Sequence, residues 1–162
     1  MSTLVSPICR AGILLAALLA GCAVAPAPEP ATGQAMPSCR AITVMDSLPG
    51  SWLAIHSRKG IAGEMRTLIN LDRDGSMRYE EQLKRKGKPS QGLSESGCWQ
   101  REGDALVLRT LHSNGAPVNL DDPIFINRFR ILVQETDLLR LESAHGQVLN
   151  ARRVSAGYRL PF

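Results

Sequence analysis

The stretch NLDRDGSMRYEE, Asn70 to Glu81, can be read as a calcium loop between two helices or as an Asp-Gly turn between two strands. Counted from Asn70, Asp72 and Asp74 fall at the third and fifth positions, Gly75 at the sixth, Met77 at the eighth and Glu81 at the twelfth. That is the spacing of a calcium loop with Asn in place of the first Asp. The flanks decide between the readings. Before the turn, MRTLINL puts Met65, Thr67, Ile69 and Leu71 on one side; after it, SMRYEEQL sets Met77, Tyr79 and Leu83 opposite Arg78, Glu80 and Gln82. A two-residue period is the mark of half-buried strands, whereas a calcium loop needs an entering and an exiting helix. Glu81 then shares the inward face with Tyr79 and cannot fold back as a bidentate ligand. A hairpin turned by Asp72 to Gly75 is expected; a calcium loop at 70–81 and a weak cation site on the turn are the lesser alternatives, and no cofactor or metal is expected.

Outward from this hairpin the same period continues. SWLAIHS (Ser51 to Ser57), SGCWQRE (Ser96 to Glu102), DALVLRTLH (Asp104 to His112), IFINRFRILVQE (Ile124 to Glu135), LLRLESA (Leu138 to Ala144) and QVLNARRV (Gln147 to Val154) are all of strand length. The short turns REGD, QETD and AHGQ separate several of them. About eight sequential strands predict an all-β, up-and-down antiparallel barrel, because closure removes both exposed edges. A barrel of that size has an interior just wide enough for side chains or one small ligand.

The amino terminus follows different chemistry. AGILLAALLA, Ala11 to Ala20, is an uncharged apolar run after Arg10, too short for the roughly 20 residues of a membrane-spanning helix and of the length of a secretory signal. It ends in LAGC, Leu19 to Cys22, which resembles the lipobox of bacterial lipoproteins. The resemblance implies a signal peptide over 1–21 and a lipidated Cys22 as the first mature residue, its acyl (palmitate-type) chains anchoring the protein; Ala23 in the next position implies the outer membrane, with the domain in the periplasm. The alternative is an ordinary signal peptide cut near Ala25. From Cys22 to Cys39 the chain is rich in Pro and Ala, with a single charge at Glu29 before Arg40, a composition that cannot bury a core and reads as an extended tether.

The domain proper is expected over 40–162. Cys9 leaves with the signal and Cys22 is the anchor, which leaves Cys39 and Cys98 to pair as a disulfide in an oxidising compartment or to remain as two buried small hydrophobes. The formal charge of +4 becomes +3 once Arg10 is removed. The one basic run, KRKGK at Lys84 to Lys88, reads as a solvated loop or a contact for anionic lipid, and an exported, tethered chain has no nucleic-acid partner to meet.

LPGSWLAI (Leu48 to Ile55), with Gly-x-Trp at the head of the first strand, followed by the Asp-Gly hairpin and a second Gly-x-Trp at Gly97 to Trp99, resembles the lipocalin-like domains of bacterial lipoproteins. The resemblance implies that Trp52 closes one end of the barrel against an arginine of the last strand, Arg152 or Arg153, a cation–π contact of about 0.5–2 kcal/mol. The Thr-Asp-Tyr motif of lipocalins proper is absent.

Catalytic patterns are thin. His56, His112 and His145 lack metal-ligand spacing, no Gly-x-Ser-x-Gly or His-Glu-x-x-His occurs, and Asp121 and Asp122 in LDDP read as a turn before proline. A non-enzymatic role is expected, with no catalytic residue. Two classes remain: a barrel that takes a small amphiphilic or apolar ligand among Tyr79, Glu81, Phe125 and Phe129, or a filled barrel that binds an envelope protein as an assembly factor or inhibitor. In NRFRI the direction of Phe129 decides whether Arg128 and Arg130 form a surface pair or line an anion site.

Overall fold

Alternation of apolar and polar side chains fixes strand register, and in the computed structural model of the protein that register closes a barrel. Residues 37–43, 45–58 and 60–161 are described. The expected signal peptide, the lipidation site Cys22 and the linker as far as residue 36 lie outside them. The described residues belong to one compact unit that begins at Ala35, and the strands and apolar core found among them all lie in it.

The strands are β1 (Gly50–Arg58), β2 (Ile61–Leu71), β3 (Ser76–Lys84), β4 (Gln91–Glu102), β5 (Ala105–Ser113), a two-residue β6 (Ala116–Pro117), β7 (Ile126–Gln134), β8 (Leu138–Ser143) and β9 (Val148–Val154). Their order is β4-β3-β2-β1-β9-β8-β7-β5-β6, and the additional β4–β5 pairing closes eight of them into an antiparallel meander. The all-β barrel expected from the sequence is the observed fold. Three boundaries differ by more than one residue, and the first is that of β2, which starts at Ile61 and not at Met65. β4 starts at Gln91, ahead of Ser96, because the chain leaves the KRKGK turn directly into pairing with β3 (Leu83 opposite Gln91). Phe125 ends a 3-10 turn, Pro123–Phe125, in place of starting a strand: Asp122 caps that turn by accepting from the Ile124 N–H at 3.0 Å.

Cross-strand partners share a face. Trp52, Ile69, Leu71, Met77, Trp99, Leu106, Leu108, Phe129, Leu139, Leu141, Leu149 and Ala151 point inward and form one buried cluster with Leu48 and Ala54. Phe129 points inward, so Arg128 and Arg130 lie on the outer surface, where they pair with Glu102 and Glu142.

The opening stretch is a hairpin. The Asp72 N–H donates to the Ser76 carbonyl at 2.9 Å and the Gly75 N–H to the Asp72 carbonyl at 3.1 Å. Gly75 has φ +86°, and a Cβ there would overlap the Arg40 carbonyl. Asp74 accepts from the Ser76 N–H at 2.9 Å and from its hydroxyl at 2.6 Å, so it braces the turn. Glu81 lies along β3 on the inward face opposite Thr67, away from the turn aspartates. The calcium-loop alternative therefore fails on geometry, because its first and last ligands cannot converge.

Cys39 and Cys98 form a disulfide. It ties the amino-terminal segment to β4, and the Ile42 N–H donates to the Arg73 carbonyl at 2.9 Å. The segment therefore packs along the hairpin that the sequence motif marks.

Candidate functional site

The two ends of the barrel have opposite chemistry, and each follows from which residues occupy the inward positions. At the end where β1 begins, Gly50, Trp52 and Arg153 stack. The Arg153 guanidinium lies 4.1 Å from the Trp52 ring centroid and donates to the carbonyls of Pro49 at 2.9 Å, Ser47 at 2.6 Å and Thr136 at 2.5 Å. Gly50, at φ +143°, leaves the space that the guanidinium fills. The Trp52 indole donates to the Leu48 carbonyl at 2.8 Å, and both residues are fully buried. Arg152, by contrast, faces outward, 3.8 Å from Asp137. Asp46 locks the approach. Burial opposes its ionisation, but donors from the Leu48 N–H, Gln134 and Arg101 outweigh it and hold the carboxyl below its ordinary range. This end is shut.

Towards the other end the inward positions turn polar. Tyr79 and Glu81 on β3, Glu95 on β4, Thr67 on β2, Thr110 on β5 and His56 on β1 all face the lumen by register. The Tyr79 hydroxyl donates to Glu81 at 2.5 Å, and the Thr110 hydroxyl donates to Glu95 at 3.1 Å. Burial first, then the Glu81 charge and the hydrogen bond to it, push the Tyr79 phenol far up. Burial likewise raises Glu95, with the charge of Glu81 adding and the Thr110 hydrogen bond opposing. His56 is lowered by burial; Glu81 opposes that shift and Arg58 adds to it. Glu81 thus acts electrostatically on three neighbours and sits at the centre of the group.

This group is under-satisfied. The Thr67 side chain is fully buried beside the Tyr79 phenol, yet its hydroxyl makes no hydrogen bond of proper geometry among the described residues. The Gln147 amide lies 3.3 Å from His56 Nε2, which leaves His56 Nδ1 without a partner. Buried polar atoms left unpaired cost about 1–3 kcal/mol each, so each of these two positions calls for a partner, either an ordered water or a group of a ligand. Among the described residues no group of three or more His, Cys, Asp or Glu side chains is arranged to hold a metal ion.

The residues expected to line a ligand separate accordingly. Tyr79 and Glu81 belong to the polar group. Phe129, 7% exposed, packs in the apolar core beneath it, and Phe125 is half-buried in the 3-10 turn near the same rim. Glu95, Thr67, Thr110 and His56 join them only through register. A signal for Glu95 existed in the sequence, since SESGCW alternates, but its pairing opposite Tyr79 depends on where β4 begins.

The chain matches no protein-family model and no curated protein. Among solved structures it is similar to the Cpx pathway activator NlpE from Escherichia coli, with 18% identity and a TM-score of 0.39 over 71% of this chain and 50% of that one. The chain thus spans about half the length of that protein.

Proposed function

We propose that the barrel is the ligand-binding domain of a lipoprotein held at the outer membrane through Cys22, that it faces the periplasm, and that it catalyses no reaction. The ligand is a small amphiphile. Its polar end donates hydrogen bonds to Glu81 and Glu95, and its apolar part lies against Met65, Leu83 and Leu93 on the inward faces of the same strands. The observation that carries this reading is the under-satisfied polar group around Glu81, set above an apolar plug that shuts the opposite end of the barrel.

A ligand with a donor or ammonium group relieves the repulsion between Glu81 and Glu95 and reaches the Thr67 hydroxyl. A second reading, a filled barrel that binds an envelope protein by its outside, is favoured by one observation: Trp52 and Trp99 are both almost wholly buried and fill the lower half. Native mass spectrometry of the unlipidated domain from periplasm, with lipid extraction of what copurifies, separates the two. The ligand reading expects a retained small molecule that is lost in Glu81→Gln while the fold is kept. A retained protein, with no small molecule in either variant, refutes it.

A further inference from the structure

A second cleft lies outside the barrel, between the disulfide-tied segment Pro37–Arg40 and the outer face of β4, β5 and β7; its volume is about 460 Å³. That is within the range of roughly 300–1,000 Å³ typical of small-molecule sites. Its floor is a checkerboard set by register. Arg109 stands opposite Ile126, and Val107 opposite Arg128, so two arginines and two aliphatic side chains alternate on one outward patch. Arg109 is also the cross-strand partner of Cys98, whose disulfide to Cys39 brings Arg40 over the same patch.

Charge here is unspent, and so is part of the apolar floor: Val107 is only 6% exposed, and Ile126 carries the open apolar surface. Arg40 and Arg109 are exposed and have no carboxylate partner among the described residues. Ile126 remains 38% exposed and the adjoining Ile124 71% exposed. The one carboxylate lining the cleft is Glu102, already engaged by Arg128 and Gln100. Three guanidinium groups against one carboxylate select an anion, and guanidinium matches a carboxylate head in bidentate geometry. The aliphatic floor selects an apolar body on that anion.

We propose that this cleft binds a single-chain anionic amphiphile, its head paired by Arg40 and Arg109 and its chain laid over Val107 and Ile126. The site is separate from the barrel mouth, where the lining charge is acidic. Concavity points to a monomeric ligand and not to a bilayer surface.

The test uses the unit from Ala35 to Phe162, which contains the complete barrel, core and disulfide, exported so that the disulfide forms. Dodecanoate below its micelle concentration is titrated while backbone amide NMR shifts are recorded, with dodecanol and dodecyltrimethylammonium as head-group controls and phosphatidylglycerol vesicles as the bilayer control. Saturable shifts at Arg40, Val107, Arg109 and Ile126 are expected with dodecanoate alone. Arg109→Gln should weaken binding about tenfold, the scale of one charged hydrogen-bonded contact. Glu102→Gln should tighten it several-fold by freeing Arg128, a gain that general damage to the fold does not produce. Equal binding of dodecanol, shifts centred on Glu81 and Glu95, binding to vesicles without binding of the monomer, or unchanged affinity in a folded Arg109→Gln variant would each overturn the proposal.

Discussion

Gly50→Ala in combination with Arg153→Ala tests how the shut end of the barrel is built. Arg153 lies on Trp52 and donates to three carbonyls, of which only that of Pro49 is in a partly buried bond. The cation–π contact contributes about 1 kcal/mol. The Pro49 bond contributes about 1.5 kcal/mol, and the two exposed bonds about 0.5 kcal/mol each once water competes for their carbonyls. Arg153→Ala should therefore cost about 3.5 kcal/mol, on the order of 10–15 °C in melting temperature for a domain of this length. Gly50→Ala carries two separate costs. An alanine at φ +143° pays backbone strain of about 1–3 kcal/mol, and its Cβ would occupy the space of the Arg153 guanidinium, expelling it.

The second cost exists only while Arg153 is present. In a double-mutant cycle measured by urea unfolding at constant temperature, the two changes should be sub-additive by about 2–3 kcal/mol, because the double variant has no guanidinium left to expel. Near-ultraviolet circular dichroism of Trp52 should report the same change in both single variants. Strict additivity, within the roughly 0.5 kcal/mol error of such cycles, would show that Gly50 answers to its backbone angle alone and that the Gly-x-Trp motif does not serve the arginine.

Three further outcomes follow from the same geometry. Replacing Cys39 and Cys98 by Ser should cost up to about 4 kcal/mol on the chain-entropy account for a separation of 59 residues, and hydrogen exchange should then accelerate at the Ile42 amide, whose bond to Arg73 the disulfide maintains. Gly75→Ala should cost about 2–3 kcal/mol through its positive φ and its overlap with Arg40, and titration with calcium to millimolar levels should leave the amide shifts of Asp72 to Gly75 unchanged. Glu95 has a raised folded pKa, so the native state holds its proton longer than the unfolded chain, and the penalty of ionising Glu95 grows as pH rises from its ordinary value of 4.5 through the folded value. Glu95→Gln should consequently be more stable relative to the parent at pH 7 than at pH 4, as measured by urea midpoints across pH; an equal difference at both would refute the burial of that carboxyl.

The barrel was legible because its signal is local. Alternation in MRTLINL and SMRYEEQL specifies faces, and a one-residue slip would reverse every one of them. The same alternation exposed the calcium spacing as coincidence, since it sends Glu81 inward while Asp72 and Asp74 stay in the turn. What the sequence hid is what arises between strands. Glu95 meets Tyr79 because β4 begins at Gln91 and pairs with β3 in unbroken register, while on its other side β5 bulges at Leu111, where a Cβ on Gly97 would overlap the Arg109 carbonyl. Phe125 looks like the first residue of a strand until Asp122 and Pro123 wind it into a 3-10 turn. The outer cleft needs the disulfide to bring Arg40 to Arg109 across 69 positions of sequence, a juxtaposition that no period encodes.

That division has a physical consequence for where ligands can bind. The lower half of the lumen holds two tryptophans and a lattice of leucines, so a polar group introduced there has no partner and the packing resists it. The upper half carries a phenol, two carboxylates, two threonines and a histidine whose mutual hydrogen bonds do not close into a complete network. An incompletely satisfied network in a small barrel costs stability that a filled apolar interior would not, and the apolar residues needed to fill it differ from the present ones by single substitutions such as Thr67→Val. Thr67→Val therefore provides the sharpest contrast: if the polar group exists only as packing, removing its orphan hydroxyl stabilises the barrel at no functional cost, whereas if the group receives a ligand, the same change stabilises the empty domain and weakens retention of the copurifying molecule.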